Sequence, residues 1–282
     1  MAWRRSSPAA ISTGSLVVVG GAEERSSEGL ILQRLVGLCR AGSPAVVVVD
    51  AASPSPTRYA QTYRAAFLEL GARVVLTPRL DTPEDAGHPD FLQAVDQADL
   101  VYFAGGDQSR LANILRGTSA HHRLLARHQG DGLVVGGTSA GAAALSLDMI
   151  ARGESELWPR KGVVRLAEGL GFTSLVIDQH FSQRGRLGRL IEALAALGDP
   201  EACGVGVDEN TALVLSPDGD GEVVGQGGVA VVRLGRTGYA SWQNTPSRDI
   251  VSVTGAEISI LRHGDRVPNL DTQEPLAARG EA

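Results

Sequence analysis

Short runs of Val, Leu and Ile recur along this chain with almost no polar interruption, at 16–20, 45–49, 73–77, 100–103, 133–135, 175–177, 204–207 and 212–215. A strand that is apolar on both sides has to be covered on both sides. Between the runs lie segments with helical spacing, at 28–40, 57–70, 89–97, 108–116, 121–129, 140–149 and 185–197. Strand and helix in alternation predict an α/β fold with a doubly wound, mostly parallel, right-handed sheet. From about Glu222 the pattern changes to short strands with Gly and Asn turns, at 223–224, 229–234, 250–253 and 258–261. These predict a small C-terminal antiparallel annex. Residues 1–12 and 271–282 are expected to be disordered, which leaves one α/β domain over 13–270.

Composition narrows the function classes. A chain of 282 residues, 43% of them hydrophobic, has ample material for a core. Its net charge of −6 gives no footprint for nucleic acid or for an anionic membrane surface. No apolar run approaches the ~18 residues of a membrane-crossing helix. The apolar run at 16–19 is too short for a signal-peptide core, so a soluble, cytoplasmic protein is expected. Cys39 and Cys203 lie in apolar segments without metal-ligand spacing and are expected to be thiols.

The segment with the most chemistry is 133–145, Leu-Val-Val-Gly-Gly-Thr-Ser-Ala-Gly-Ala-Ala-Ala-Leu. Gly137-Thr138-Ser139-Ala140-Gly141 fits G-x-S-x-G, the strand–turn–helix nucleophile elbow. The reason is steric. A sharp turn strains the serine backbone, so its neighbours must be small. Its hydroxyl then projects above the sheet, beside helix-start N–H groups such as that of Ala140. Gly105-Gly106-Asp107-Gln108 follows another apolar run and can supply a second oxyanion donor, from Gly106 or Asp107.

A serine nucleophile needs a base and a group that orients the base. Active-site groups in an open parallel sheet collect at the carboxyl ends of strands. Ser139 and His180 both fall there. His180, in Asp178-Gln179-His180-Phe181, is the expected base, and His263, in a Gly-Asp turn, is the alternative. The strand at 204–207 ends in Asp208-Glu209. One acid should point into the site and the other away. Glu209 is the expected acid; Glu154 and Glu156, after the nucleophile helix, are rivals. Arg184, Arg186 and Arg189 follow His180 closely, and guanidinium forks suit a carboxylate-bearing substrate.

Taken together, these segments resemble the cyanophycinases, in the peptidase family that also contains the α-aspartyl dipeptidases. The resemblance spans about residues 15–270 and rests on five blocks. They are Gly-Gly-Asp-Gln at 105–108, Gly-Thr-Ser-Ala-Gly-Ala at 137–142, Gly-Leu-Gly-Phe at 169–172, Asp-Gln-His-Phe-Ser-Gln-Arg-Gly-Arg-Leu-Gly-Arg-Leu at 178–190, and Gly-Val-Gly-Val-Asp-Glu-Asn-Thr-Ala at 204–212. It implies a fold like that of class I glutamine amidotransferases and a Ser–His–Glu relay of Ser139, His180 and Glu209. It implies a pocket lined by Gln108, Asp178, Gln179, Arg184, Arg186 and Arg189. The implied substrate is cyanophycin, multi-L-arginyl-poly-L-aspartate, or related β-aspartyl peptides. The implied product is the β-aspartyl-arginine dipeptide, released from the C-terminal end. A homodimer is implied; a metal or organic cofactor is not. On this resemblance Asp178 is expected to meet the substrate guanidinium.

Three other readings compete. One is an aspartyl or isoaspartyl dipeptidase of the same family; the 178–190 block favours the polymer-degrading branch instead. Another is an α/β-hydrolase esterase using Ser139 and His263, but that fold runs Ser, acid, His, whereas the order here is Ser139, His180, Glu209. The last is a non-catalytic ligand binder. Against it, Gly20-Gly21-Ala22-Glu23-Glu24 after the first strand lacks the Lys and the spacing of a phosphate loop.

Overall fold

The computed structural model describes residues 13–53, 57–235 and 239–271. The disorder expected over 1–12 and 272–282 lies outside the described residues. Asp271, expected to begin the disordered tail, is instead anchored by the hydroxyls of Thr173 and Ser174.

In chain order the elements are β1 (Leu16–Val19), α1 (Leu30–Leu38), β2 (Ala45–Val49), α2 (Thr57–Glu69), β3 (Val74–Leu76), α3 (Pro83–Ala86), α4 (Pro89–Gln97), β4 (Leu100–Phe103), α5 (Gln108–Leu115), α6 (Ser119–Gly130), β5 (Val134–Thr138) and α7 (Ala140–Ala144). There follow β6 (Asp148–Gly153), β7 (Val164–Glu168), β8 (Val176–Gln179), α8 (Leu187–Leu197), β9 (Cys203–Val207), β10 (Thr211–Leu215), β11 (Gly221–Gly225), β12 (Val229–Arg233), β13 (Tyr239–Ala240), β14 (Val253–Thr254), β15 (Glu257–Leu261) and β16 (Arg266–Val267).

An eight-stranded sheet in the order β16-β11-β10-β1-β5-β4-β2-β3 forms the centre. β1, β5, β4, β2 and β3 run parallel. β10, β11 and β16 add on antiparallel. The apolar runs are continuous because each strand feeds two layers. Val18, Val47, Val49, Val101 and Phe103 pack into one core, and Val17, Val19, Val46, Val48, Leu100 and Tyr102 into the core on the opposite face. α5 begins where the Asp107 side chain accepts from the N–H groups of Ser109 and Arg110. α8 buries Leu190, Ala193 and Leu194 at helical spacing and ends at Gly198 in the left-handed conformation.

Three expectations need correction. First, β8 and β9 do not lie in the main sheet. They pair parallel in a second, four-stranded sheet of order β15-β12-β9-β8. Their apolar sequences require burial but do not say in which sheet. Second, the antiparallel annex is not one unit. β11 extends the main sheet, whereas β12 and β15 extend the second. Third, the helix expected over 140–149 stops at Ala144. The incoming segment satisfies its last carbonyls: Leu170 N–H donates to Ala144 O at 2.7 Å and Phe172 N–H to Leu145 O at 2.9 Å. The chain is then free to form the β6–β7 hairpin, on which Met149 and Ile150 are buried.

Candidate active site

The elbow is built as its residue sizes require. Ser139 adopts φ 53° and ψ −117°, a sparsely populated conformation for a residue with a side chain. A Cβ on Gly137 would stand 2.5 Å from Gly141 O, and one on Gly141 would stand 2.2 Å from Phe103 O. Neither position admits a larger residue. The Ser139 N–H is fixed on Val19 O at 3.0 Å.

His180 follows β8, also at positive φ (46°), with its N–H on Gly20 O at 2.8 Å. Its Nε2 lies 2.9 Å from Ser139 Oγ, and its Nδ1 lies 2.6 Å from Glu209 Oε1. A carboxylate can only accept, so Nδ1 carries the imidazole proton and Nε2 accepts from the serine hydroxyl. Burial holds the His180 pKa below its usual 6.5; Arg184 and Arg186 push the same way, and Glu209 opposes them. The imidazole is therefore neutral at neutral pH and able to take a proton. A hydroxyl, an imidazole and a carboxylate in this order can pass a proton from oxygen to nitrogen and hold the resulting cation.

The two adjacent acids point to different partners. Glu209 faces His180. Asp208 turns away and accepts from Ser182 N–H at 2.8 Å and Gly228 N–H at 3.0 Å. Its work is to fix the loop after His180. The rivals are occupied elsewhere: Glu156 lies 3.7 Å from Arg160 and Glu154 lies 3.8 Å from Arg248. His263 accepts from Gly225 N–H at 3.3 Å and makes no described contact with Ser139.

Among the oxyanion candidates, Asp107 is removed. Its N–H donates to Ala52 O at 2.9 Å and its side chain caps α5. The Gly105-Gly106 turn does lie against the serine. A Cβ on Gly105 would come within 3.2 Å of Ser139 Cβ, and Gly106 has φ 148°. Among the described residues no carbonyl accepts the N–H of Gly106 or of Ala140.

The expected substrate pocket divides in two. Asp178 was expected to await a guanidinium from outside, but it already holds one from within. Arg189 donates Nε to its Oδ2 at 2.6 Å and Nη2 to its Oδ1 at 2.5 Å, and the two residues are 4% and 1% exposed. Arg189 also donates to Gly153 O at 2.8 Å. This buried pair ties α8 to β8 and to the β6–β7 hairpin. Gln108 likewise braces the hairpin, donating to the carbonyls of Ile150 and Ala151. Arg186 donates to the Gln179 carbonyl and to Gln179 Oε1, but its buried Nε has no partner among the described residues. Burial lowers the Arg186 pKa to about 10, so it stays charged at neutral pH. Arg184 is exposed.

The sequence reading missed the loop after β1. Ala22, Ser139, His180 and Asn210 are four of the six non-glycine residues with positive φ among the described residues, and all four meet at this site. The available signal was the strand-end rule, which applies to β1 as much as to β5. Among the described residues no cluster of His, Cys, Asp or Glu is arranged to hold a metal ion, and no helix is long and apolar enough to cross a membrane.

Comparison with known proteins gives a consistent picture. Residues 16–221 match peptidase family S51. The chain is 34% identical over 265 residues to a cyanophycinase of Geminocystis herdmanii, covering 93% of this chain and 96% of that protein. It is 33% identical over 253 residues to a cyanophycinase of Trichormus variabilis, covering 89% and 84%. The crystal structure of a peptidase from an acI-B1 actinobacterium superposes with a TM-score of 0.66 at 24% identity, covering 92% of this chain and 98% of that one. That likeness shows the same mixed α/β fold around a large, mostly parallel sheet. The chain belongs to peptidase family S51 and is a serine-type peptidase.

Proposed function

We propose that this peptidase is an exopeptidase of cyanophycin that releases β-aspartyl-arginine dipeptides through an acyl-enzyme on Ser139. The observation that carries the chemistry is the contact chain Ser139 Oγ, His180 Nε2 and Nδ1, Glu209 Oε1, at 2.9 and 2.6 Å. The relatives named cyanophycinase and the 178–190 block support the substrate. Ser139 Oγ adds to the scissile carbonyl as His180 Nε2 takes its proton. Glu209 steadies the imidazolium. The N–H groups of Gly106 and Ala140 receive the oxyanion. Collapse breaks the C–N bond, and His180 returns the proton to the leaving amine. Water then repeats the sequence on the ester and frees Ser139. The resemblance further supports a fold like that of class I glutamine amidotransferases, one domain over 13–270, a homodimer and a cytoplasmic location, which we include in the proposal.

Substrate recognition falls to Arg184 and Arg186, with Gln108, Gln179, Asp178 and Arg189 framing the pocket. Arg184→Ala is expected to lower kcat/KM on the polymer about 10- to 150-fold, the worth of a charge-assisted bond to a carboxylate. It should leave hydrolysis of a small activated ester and the melting temperature unchanged. Arg189→Ala removes the bidentate partner of buried Asp178 and leaves it only Arg186 at 3.4 Å and the Gln179 N–H at 2.8 Å, which should cost up to about 3–5 kcal/mol. It should lower the melting temperature and both activities. Kinetics on both substrates with thermal melts of both variants check this; equal loss on polymer and ester in Arg184→Ala would remove that residue from recognition.

Glu209→Gln is expected to lower kcat strongly, because the acid acts on the imidazolium formed in the transition state. Asp208→Asn should do less. In the wild type kcat/KM should fall as pH drops through a limb below 6.5. Glu209 raises the His180 pKa, so its removal should shift that limb further down. Rate profiles against pH decide it, and a limb unmoved in Glu209→Gln would separate Glu209 from the base.

Mass spectrometry of the products from purified cyanophycin tests the function. The expected products are β-aspartyl-arginine dipeptides and a polymer shortened from its C-terminal end. Internal fragments, or cleavage of free dipeptides with the polymer left intact, would overturn the reading.

A further inference from the structure

The loop at 20–24, Gly-Gly-Ala-Glu-Glu, touches His180 and the neighbours of Ser139 and Glu209. Gly20 O accepts the His180 N–H and Gly21 O accepts the Asn210 N–H, each at 2.8 Å. Gly21 lies directly against the imidazole: a Cβ there would stand 2.4 Å from His180 Cε1 and 2.5 Å from Nε2. Ala22 sits at φ 50°, a conformation that persists only where surroundings enforce it.

The next residue, Glu23, is 4% exposed. Three hydroxyls converge on its carboxylate. Tyr63 and Tyr102 donate to Oε1, the latter at 2.9 Å, and Thr138 Oγ1 donates to Oε2 at 2.7 Å. Arg25 Nε stands 3.9 Å from Oε1. A buried carboxylate needs such pairing to be tolerated. Its location carries the argument. Thr138 is the last residue of β5 and precedes Ser139. One end of Glu23 therefore grips the strand that aims the hydroxyl, and the other belongs to the loop that lies on the imidazole. Glu23 is thus one hydrogen bond from the neighbour of Ser139 and two residues along the chain from the glycine that lies against His180.

We propose that Glu23 is a positioning residue for that contact. Through Thr138 it sets the direction of Ser139 Oγ, and through the loop it holds Gly21 against His180. The inference rests on the reading of Ser139 as nucleophile and His180 as base. The competing account is an ordinary core acid, whose loss would lower stability and leave the folded enzyme as fast as before.

Two substitutions approach the same bond from opposite ends. Glu23→Gln keeps the size and turns one acceptor into a donor that faces a hydroxyl. Thr138→Val keeps the shape and removes the hydroxyl. Each folded variant should lose about 10²-fold in kcat with KM within about twofold, as expected when reacting groups are misaligned but binding is intact. The rate of labelling by a serine-reactive phosphonate should fall in parallel. Thr138→Ser restores the hydroxyl and should restore the rate. The double variant should be no worse than the slower single one, because both cut one link. Wild-type kcat in folded Glu23→Gln and Thr138→Val, additive losses in the double variant, or an equal loss in Thr138→Ser would overturn the proposal. If Glu23→Gln does not fold, Thr138→Val and Thr138→Ser decide it alone. Ser139→Ala runs beside them. An active Ser139→Ala would sink the parent reading and this one with it; an inactive Ser139→Ala beside fully active Glu23→Gln and Thr138→Val would sink this one only.

Discussion

Ser139→Ala is expected to give a folded protein whose hydrolysis is slower by about 10⁴- to 10⁶-fold, as when a relay loses its nucleophile. The fold should survive because the elbow is held by other groups. Gly137 and Gly141 make its close approaches, and the backbone N–H of residue 139 remains on Val19 O. Alanine meets the same backbone strain as serine, so the melting temperature should change little. Turnover on cyanophycin, with circular dichroism as the control for folding, checks the result. Retention of more than about a tenth of wild-type turnover would contradict the assignment.

His180→Ala should be nearly as damaging, and Ser139→Ala/His180→Ala little worse than either single variant, because members of a relay act as a unit. His180 makes two contacts that no neighbour duplicates, to Ser139 Oγ and to Glu209 Oε1. His263→Ala should be close to neutral, since that ring accepts only from the Gly225 N–H among its described bonds. Single-turnover and steady-state rates of the three variants check this. An inactive His263→Ala beside an active His180→Ala would restore the α/β-hydrolase reading.

The elbow was legible because its physics is local. Two glycines and a serine at fixed spacing describe a turn that other residues cannot make. The approach of His180 and Glu209 to Ser139 was legible for a less direct reason. The strand-end rule pointed to His180 and Glu209, although β8 and β9 belong to the second sheet. The two residues still come together beside Ser139 because the carboxyl ends of β8 and β9 abut the ends of β1 and β5, where Gly20 O takes the His180 N–H and Gly21 O the Asn210 N–H.

What stayed hidden depends on partners distant in sequence. Apolar runs such as 175–177 and 204–207 demand burial without naming a sheet. The end of α7 is set by residues 169–173 folding back on it, which no periodicity within 140–149 reveals. Asp178 reads like a binding carboxylate until Arg189, one α8 turn inside the same segment, is seen to fill both its oxygens. Glu23 reads only as part of a failed phosphate motif, because its bonds reach Tyr63, Tyr102 and Thr138 on three other elements.

The central claim is that Ser139 is a nucleophile activated by His180 and Glu209. Intact-protein and peptide mass spectrometry after incubation with a serine-reactive phosphonate tests it most directly. The account predicts one adduct per chain, on the peptide carrying Gly137-Thr138-Ser139-Ala140-Gly141, formed slowly in His180→Ala and absent in Ser139→Ala. An adduct on another residue, or labelling of Ser139→Ala at the wild-type rate, would contradict it.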